Sequence, residues 1–174
     1  MAKADYDLVV AVQGAFSVKF ITRKDSGFKK PEDIRGHRIA YAEGTFMEKA
    51  GMASLRDLNL LPEPSALVKA RYQDAIVYIV EQRFAYVGMV SPIVAKQWEA
   101  KGGVTLFESR KLPSWTLIAS PKLSPAEKET LRAGLINAAQ DPLGQKVLKS
   151  LDIKGFEPGD KKAYLDMLAW LEGR

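Results

Sequence analysis

Short apolar runs alternate with helix-like stretches through the middle of this chain, and this alternation restricts the possible folds more than any other feature. A strand, a helix and the next strand of one sheet close as a right-handed crossover, which makes the strands parallel and covers the sheet with helices. The run FAYVGMV at 84–90 is apolar without a period of two, which is typical of a strand buried on both faces. The sequence therefore predicts an α/β fold with a mainly parallel sheet and helices on both of its faces.

Turn residues and apolar periodicity give the expected bounds of the elements. Strands are predicted at 8–12, 16–21, 38–42, 66–72, 84–90, 104–107 and 115–119. Helices are predicted at 31–33, 46–58, 74–83 and 92–100. From Ser124 onward only helices are predicted, because Ser124-Pro125-Ala126-Glu127 forms a capping box and Asp141-Pro142 and Gly159-Asp160 begin two more helices.

The composition argues against several classes of function. The 174 residues carry a net charge of +5 from 26 basic and 21 acidic side chains that are scattered along the chain, so no nucleic-acid partner is expected. Cysteine is absent and His37 is the single histidine, so no metal site is expected, and no apolar run is long enough for direct membrane insertion. The motifs of serine hydrolases, nucleotide hydrolases and dinucleotide-binding proteins are missing, so neither catalytic residues nor a cofactor is predicted.

The stretch AYAEGTFMEKAG at 40–51 changes from an apolar strand to a helix across Gly44 and Thr45. In open α/β sheets, ligands bind where loops leave the carboxyl ends of strands and meet the amides of helix N-termini. Gly44 would allow an oxyanion to approach the backbone closely, and Thr45 would either cap the helix or donate its hydroxyl. An ordinary turn with a helix cap explains the same residues, and Glu48 then serves as electrostatic support for the helix start.

Three longer stretches resemble a known family. They are FITRKDSGFKKPEDIRGHRIAYAEGT at 20–45, RYQDAIVYIVEQRFAYVGMVS at 71–91, and the region from TLFESRKLPSWTLIAS to KSLDIKGFEP at 105–158. In the order of their segments they resemble the substrate-binding proteins of phosphonate, phosphite and phosphate ABC transporters, which are type II periplasmic binding proteins. The resemblance implies a three-layer α/β/α lobe whose mainly parallel sheet contains one antiparallel strand, followed by a helical C-terminal segment.

The resemblance also implies a function in solute uptake. The ligand would be a small phosphonate-like or phosphate-like anion held at strand ends in a cleft between two lobes. The partner of the full-length protein would be an ABC permease in the membrane. Such a protein is periplasmic or otherwise extracytoplasmic, and its signal peptide would lie outside this chain.

The domain organisation implied by the resemblance has three parts. Residues 1–16 correspond to a crossing or hinge segment of a truncated first lobe, 17–109 to the ligand-binding lobe, and 110–174 to the return crossing and the C-terminal helices. Most of the first lobe has no counterpart in this sequence. We therefore expect a cut piece of a longer protein or a single-lobe relative.

The resemblance implies a set of ligand-binding residues by position. They are Ser17, Gly44, Thr45, Tyr72, Gln73 and Ser91. Each has a plain structural alternative, such as sheet packing for Tyr72 or a helix cap for Ser91. The carboxylate with which the family meets a ligand's amine is matched by Ala85, and an aromatic residue of the family is matched by Val18. Both differences argue against an aminoalkylphosphonate and leave a simpler oxyanion, or a larger and less polar solute, as the ligand.

Two other functions stay open at this point. The same fold serves as the ligand-sensing domain of signalling proteins, and nothing in the 174 residues separates a sensor from a transport component. An enzyme with an unrecognised site is a third hypothesis, and its activity would disappear when Thr45 or Glu43 is replaced. His37 follows Gly36 in a turn and is interpreted as a solvent-facing residue.

Overall fold

The computed structural model describes residues 6–174, which form two compact units. The five-strand unit consists of residues 17–111 and 170–174, and the three-strand unit consists of the described residues up to 16 together with 112–169. The chain therefore changes unit after Phe16, after Lys111 and after Ala169. The predicted division at 1–16, 17–109 and 110–174 assigns segments to the lobes and crossings of the family's two-lobed proteins. The two units do not test that assignment, which stays a prediction.

The elements have the following bounds. The strands are β1 (Asp7–Val12), β2 (Ala15–Phe16), β3 (Lys19–Thr22), β4 (Ile39–Ala42), β5 (Leu67–Ala70), β6 (Val87–Val90), β7 (Val104–Glu108), β8 (Leu112–Pro113), β9 (Thr116–Ala119) and β10 (Phe156–Pro158). The α-helices are α1 (Phe46–Asp57), α2 (Gln73–Glu81), α3 (Pro92–Ala100), α4 (Pro125–Ile136), α5 (Pro142–Ser150) and α6 (Lys161–Glu172). Short 3-10 helices cover Lys24–Ser26, Pro31–Ile34, Pro64–Ala66 and Asn137–Gln140.

The central sheet of the five-strand unit has the order β5-β4-β6-β3-β7. β4 pairs in parallel with β5 and with β6, whereas β3 pairs antiparallel with β6 and with β7. Four strands therefore run in one direction and β3 runs in the other. This topology confirms the predicted α/β class and the mainly parallel sheet with one antiparallel strand.

Helices cover both faces of this sheet, as two neighbouring residues of β6 show. Successive residues of a strand point to opposite faces. A Cβ atom on Gly88 would lie 2.5 Å from Ile76 of α2, and a Cβ atom on Gly51 of α1 would lie 2.4 Å from the sulfur of Met89. α2 and α1 therefore pack on opposite faces, which makes the unit a three-layer α/β/α structure.

The three-strand unit is built around β1. β1 lies between β10 and β9 and pairs antiparallel with both. Its valines form a buried cluster with Leu148 of α5 and Phe156 of β10. The prediction of helices alone after Ser124 is wrong for this region, because Phe156–Pro158 is a strand paired with Val10–Val12.

Two predicted strands are shorter than their apolar runs. The alternation at 16–21 covers two separate strands, because β2 pairs with β8 and β3 belongs to the five-strand sheet. The run at 84–90 forms a strand only from Val87, and the side chains of Phe84 and Tyr86 are exposed. Among the helices of residues 6–174, none combines the length and the apolar character needed to cross a membrane.

Candidate functional site

The loops that leave the parallel strands meet at one edge of the five-strand sheet. β4 ends at Ala42 beside Ala70, the last residue of β5, and β6 runs parallel to β4 and ends at Val90. β3 runs in the opposite direction, so its first residue, Lys19, lies opposite Val90. We call this the carboxyl edge. It is the edge to which all six predicted site residues belong: Ser17, Gly44, Thr45, Tyr72, Gln73 and Ser91.

The turn between β4 and α1 is closed by the first turn of the helix. Gly44 adopts a φ of +73°, a left-handed conformation that favours glycine. The Thr45 hydroxyl accepts the N–H of Glu48 at 3.2 Å and donates to the carbonyl of Ala42 at 2.7 Å. The Gly44 N–H donates to the Glu48 carboxylate at 2.6 Å. The Thr45 hydroxyl thus serves as a helix cap, which is the plain alternative that the sequence left open.

Gln73 and Ser91 connect two neighbouring loops of the carboxyl edge. The side-chain oxygen of Gln73 accepts the N–H of Ser91 at 2.7 Å. The Ser91 hydroxyl caps α3 by accepting the N–H of Val94 at 3.4 Å. Within the described residues, the Ser91 O–H itself has no acceptor, so it remains available as a hydrogen-bond donor.

Ser17 belongs to a charged cluster that the sequence did not predict. Its hydroxyl donates to the carboxylate of Glu108 at 2.9 Å, so this hydroxyl proton is already used. Glu108 also pairs with the ammonium groups of Lys19 and, at 2.7 Å, of Lys111. Ser17 and Glu108 are far apart in sequence, and the pairing of β3 with β7 brings them together. No local sequence signal could have identified this contact.

The cluster holds Glu108 in its ionised form. Hydrogen bonds from Lys111, Lys19 and Ser17 lower the pKa of Glu108 from its ordinary 4.5 to about 2, against the opposing effect of desolvation. Since the folded-state pKa is the lower one, the ionised carboxylate stabilises the fold fully above the ordinary pKa. This contribution is lost as the pH falls from 4.5 to about 2.

We expect Glu108→Gln to lower the free energy of unfolding by about 1 kcal/mol at neutral pH, because the carboxylate is partly screened by solvent. The difference from the unmodified protein should shrink as the pH falls from 4.5 toward about 2, where Glu108 itself becomes protonated. Chemical unfolding at a series of pH values measures both effects. Glu99→Gln, which removes an exposed carboxylate of α3, is the matched control variant and should change the free energy of unfolding little. A difference that persists in acid would contradict the assignment.

Further charged and aromatic groups lie beside the turn at Gly44. Lys69 of β5 pairs with Glu43 at 2.5 Å. The hydrogen bond and the charge of Glu43 raise the pKa of Lys69 above its usual range. Arg71, which follows β5, lies with its guanidinium carbon 5.3 Å from the ring centre of the exposed Tyr72. Arg71 was not among the predicted residues, although its place directly after a parallel strand could have indicated it.

Three interpretations of single residues need correction or comment. Ala85 is fully buried and precedes β6, so it belongs to the edge opposite the candidate site and cannot stand for a carboxylate that meets a ligand. Glu108, the last residue of β7, is one of the carboxylates that do lie at the carboxyl edge. Val18 is also fully buried. His37 is only half-buried and contacts the rings of Phe28 and Tyr86, at 5.0 Å and 4.4 Å between ring centres.

The edge combines helix starts, hydroxyls and basic side chains, which suits a small anion. α1, α2 and α3 all begin there, and the positive end of a helix dipole favours negative charge. Within residues 6–174, no cluster of three or more acidic or histidine side chains is arranged to hold a metal ion. The order of the strands and the loops at their ends are those of the type II periplasmic binding protein fold.

A sequence comparison identifies the family. The profile of the family described as "ABC transporter, phosphonate, periplasmic substrate-binding protein" matches residues 2–164. The chain therefore belongs to this family of ABC transporter substrate-binding proteins. A search of curated protein sequences finds no match.

Solved structures share the fold at low sequence identity. A Xanthomonas citri protein bound to ATP has a TM-score of 0.77 at 18% identity, and the match covers 97% of this chain and 70% of that protein. PhnD1 from Prochlorococcus marinus in complex with methylphosphonate has a TM-score of 0.77 at 12% identity, with 97% and 71% covered. A histidine kinase sensor domain has a TM-score of 0.56 at 13% identity, with 86% and 64% covered. At such identities the likeness shows the fold alone.

Proposed function

We propose that this protein is the solute-binding component of an ABC uptake system and that it binds a small phosphonate-like or phosphate-like anion at the carboxyl edge of the five-strand sheet. The observation that carries the proposal is the convergence of three loops at that edge, each leading into a helix: Gly44 and Thr45, Tyr72 and Gln73, and Ser91. Membership of the phosphonate-binding family supports this choice of ligand class.

The donors at this edge are suited to exchange partners with a ligand. The N–H groups of Gly44 and Ser91 donate to the side chains of Glu48 and Gln73. Side-chain acceptors that are only partly buried can turn aside, whereas a backbone acceptor could not. Phosphonate oxygens would then accept the N–H groups in place of these side chains. The dipole of each of the three helices would contribute about 0.3 to 1 kcal/mol to the free energy of binding. The hydroxyl protons of Ser17 and Thr45 are used within the protein, so these residues would not donate to the ligand. Ser17 would position Glu108, and Thr45 would position the first turn of α1.

The proposal includes the partner and the cellular location that the family implies. As in related uptake systems, two lobes would close on the bound anion, and an ABC permease in the membrane would recognise the closed form. The protein would act in the periplasm or another extracytoplasmic space. It would act by capture and release, without chemical change of the solute. In this proposal 17–109 is the ligand-binding lobe, and 1–16 and 110–174 contain the crossings.

Calorimetric titration tests the ligand class. We expect binding of methylphosphonate, phosphite or phosphate by the full chain, and we expect Ser91→Ala to weaken it at least about tenfold through loss of one hydrogen bond to a charged acceptor, which contributes about 1.5 kcal/mol or more. Ser150→Ala, at the end of α5 in the other unit, is the matched control and should leave binding unchanged. Binding of uncharged or cationic solutes alone would contradict the proposal.

A sensory role is the second candidate, favoured by the fold that the chain shares with a histidine kinase sensor domain. The site would be the same, and the signal would pass to a kinase rather than to a permease. Genes for a permease and an ATPase next to the gene of this protein would support uptake. A neighbouring kinase or DNA-binding segment would support sensing.

A further inference from the structure

We infer that the Glu48 carboxylate determines the charge of the anion that the carboxyl edge accepts, so that Glu48 is a specificity-determining residue. This inference rests on the proposed function. It assigns to Glu48 a role that differs from support of the helix start, although the same hydrogen bonds are involved.

The first argument is the position of the Glu48 carboxylate. The backbone of Glu48 is fixed by the Thr45 cap, and its side chain folds back so that Oε2 lies 2.6 Å from the Gly44 nitrogen. A ligand oxygen bound to this N–H would have to occupy the same place. Glu48 is therefore an internal anion that competes for a donor of the proposed site.

The second argument is that no ion pair compensates the negative charge of Glu48. The other two glutamates of the carboxyl edge, Glu43 and Glu108, pair with Lys69 at 2.5 Å and with Lys111 at 2.7 Å. Across the described part of the chain, Glu48 forms no ion pair. Lys69 lies near enough for the charge of Glu48 to contribute to its raised pKa, but its ammonium group is bound to Glu43.

The third argument concerns what happens when a ligand arrives. The Glu48 side chain is half-buried and can turn toward water, but it stays attached to the first turn of α1, next to the Gly44 N–H that a ligand oxygen would occupy. Repulsion between two like charges grows in proportion to the charge of the ligand. Glu48 therefore disfavours a dianion more than a monoanion of the same shape.

The test compares the affinities of the unmodified protein, Glu48→Gln and Glu48→Ala for methylphosphonate in alkaline buffer, where this ligand is a dianion, and in mildly acidic buffer, where it is a monoanion. We expect each substitution to tighten binding of the dianion about tenfold at low ionic strength and binding of the monoanion less, and we expect added salt to reduce the difference. Equal tightening for both charge states would overturn the inference. Glu48→Ala should be the tighter of the two, because glutamine can still accept from Gly44. Glu81→Gln removes one negative charge at the far end of α2 and should leave the affinity unchanged.

The outcomes separate this inference from the proposed function. The titration of the unmodified protein tests anion binding, whereas the ratio of affinities tests Glu48. A glutamate that only supports the helix start would lower the melting temperature when replaced, without tightening binding. Affinities of both variants that equal or fall below that of the unmodified protein would overturn the inference. Absence of anion binding by all three proteins would instead overturn the proposed function. Thermal unfolding of both variants establishes that they are folded.

Discussion

Replacement of Phe20 by alanine is expected to lower the free energy of unfolding by about 3 to 5 kcal/mol, the range for removal of a large buried aromatic side chain. Phe20 is 0% exposed and lies in β3, between β6 and β7. Its ring stacks on that of Phe107 with 4.1 Å between ring centres, and it is paired in register with Met89. The substitution would leave a cavity against an interior strand of the sheet, where the neighbours cannot collapse without disturbing strand pairing.

Chemical unfolding followed by circular dichroism measures this effect. Phe84→Ala is the matched control, because the Phe84 side chain is 54% exposed and its loss should change the free energy of unfolding by less than about 0.5 kcal/mol. If the two variants are equally stable, Phe20 does not lie in the core of the sheet and the assigned strand order is wrong.

Replacement of Trp170 by alanine should lower the free energy of unfolding by about 3 kcal/mol, at the lower end of the range for buried tryptophans. Trp170 is 8% exposed, and its indole N–H donates to Asp57 at 2.6 Å. Its carbonyl accepts from Arg56, and the guanidinium carbon of Arg110 lies 4.8 Å from its ring centre. A single side chain thus connects the C-terminal residues with the end of α1 and with the segment after β7.

Two further variants divide this effect into its parts. Trp170→Phe keeps most of the apolar area and removes the hydrogen bond to Asp57. It should therefore lower the free energy of unfolding by about 1 kcal/mol. Trp115→Ala serves as the control, since Trp115 is 70% exposed and its loss should change stability little. Equal stability of Trp170→Ala and Trp115→Ala would show that the C-terminal residues contribute nothing to the five-strand unit.

The sequence predicted most accurately the helices, whose apolar face and N-terminal cap are both visible in the local sequence. The helix at 92–100 has the predicted bounds, and the capping box at Ser124 begins α4 as expected. β10 was missed because it has only three residues and ends in proline, and because it depends on pairing with β1. The segment at 16–21 was predicted as one strand, since a regular alternation does not reveal that its two parts pair with different partners.

The sequence predicted where the candidate site lies, but it did not predict the hydrogen-bond partners of the site residues. The turn at Gly44 and the helix starts at Gln73 and Ser91 are local features, and the topology brings them to one edge. The partners of their donors were not predictable. The bond from Ser17 to Glu108 joins β3 to β7, and the one from Ser91 to Gln73 joins two separate loops. Such bonds follow from packing between distant segments.

The position of β3 inside the sheet, between β6 and β7, has a consequence for biosynthesis. β3 is the first strand of the five-strand sheet to leave the ribosome, but its partners at Met89 and Phe107 emerge only after β4 and β5. Until then the nascent polypeptide presents an unpaired apolar strand, a state that promotes aggregation. Translation that stops before β7 is complete leaves Phe20 uncovered on one side, so truncated products of this gene should be targets for chaperones and proteases.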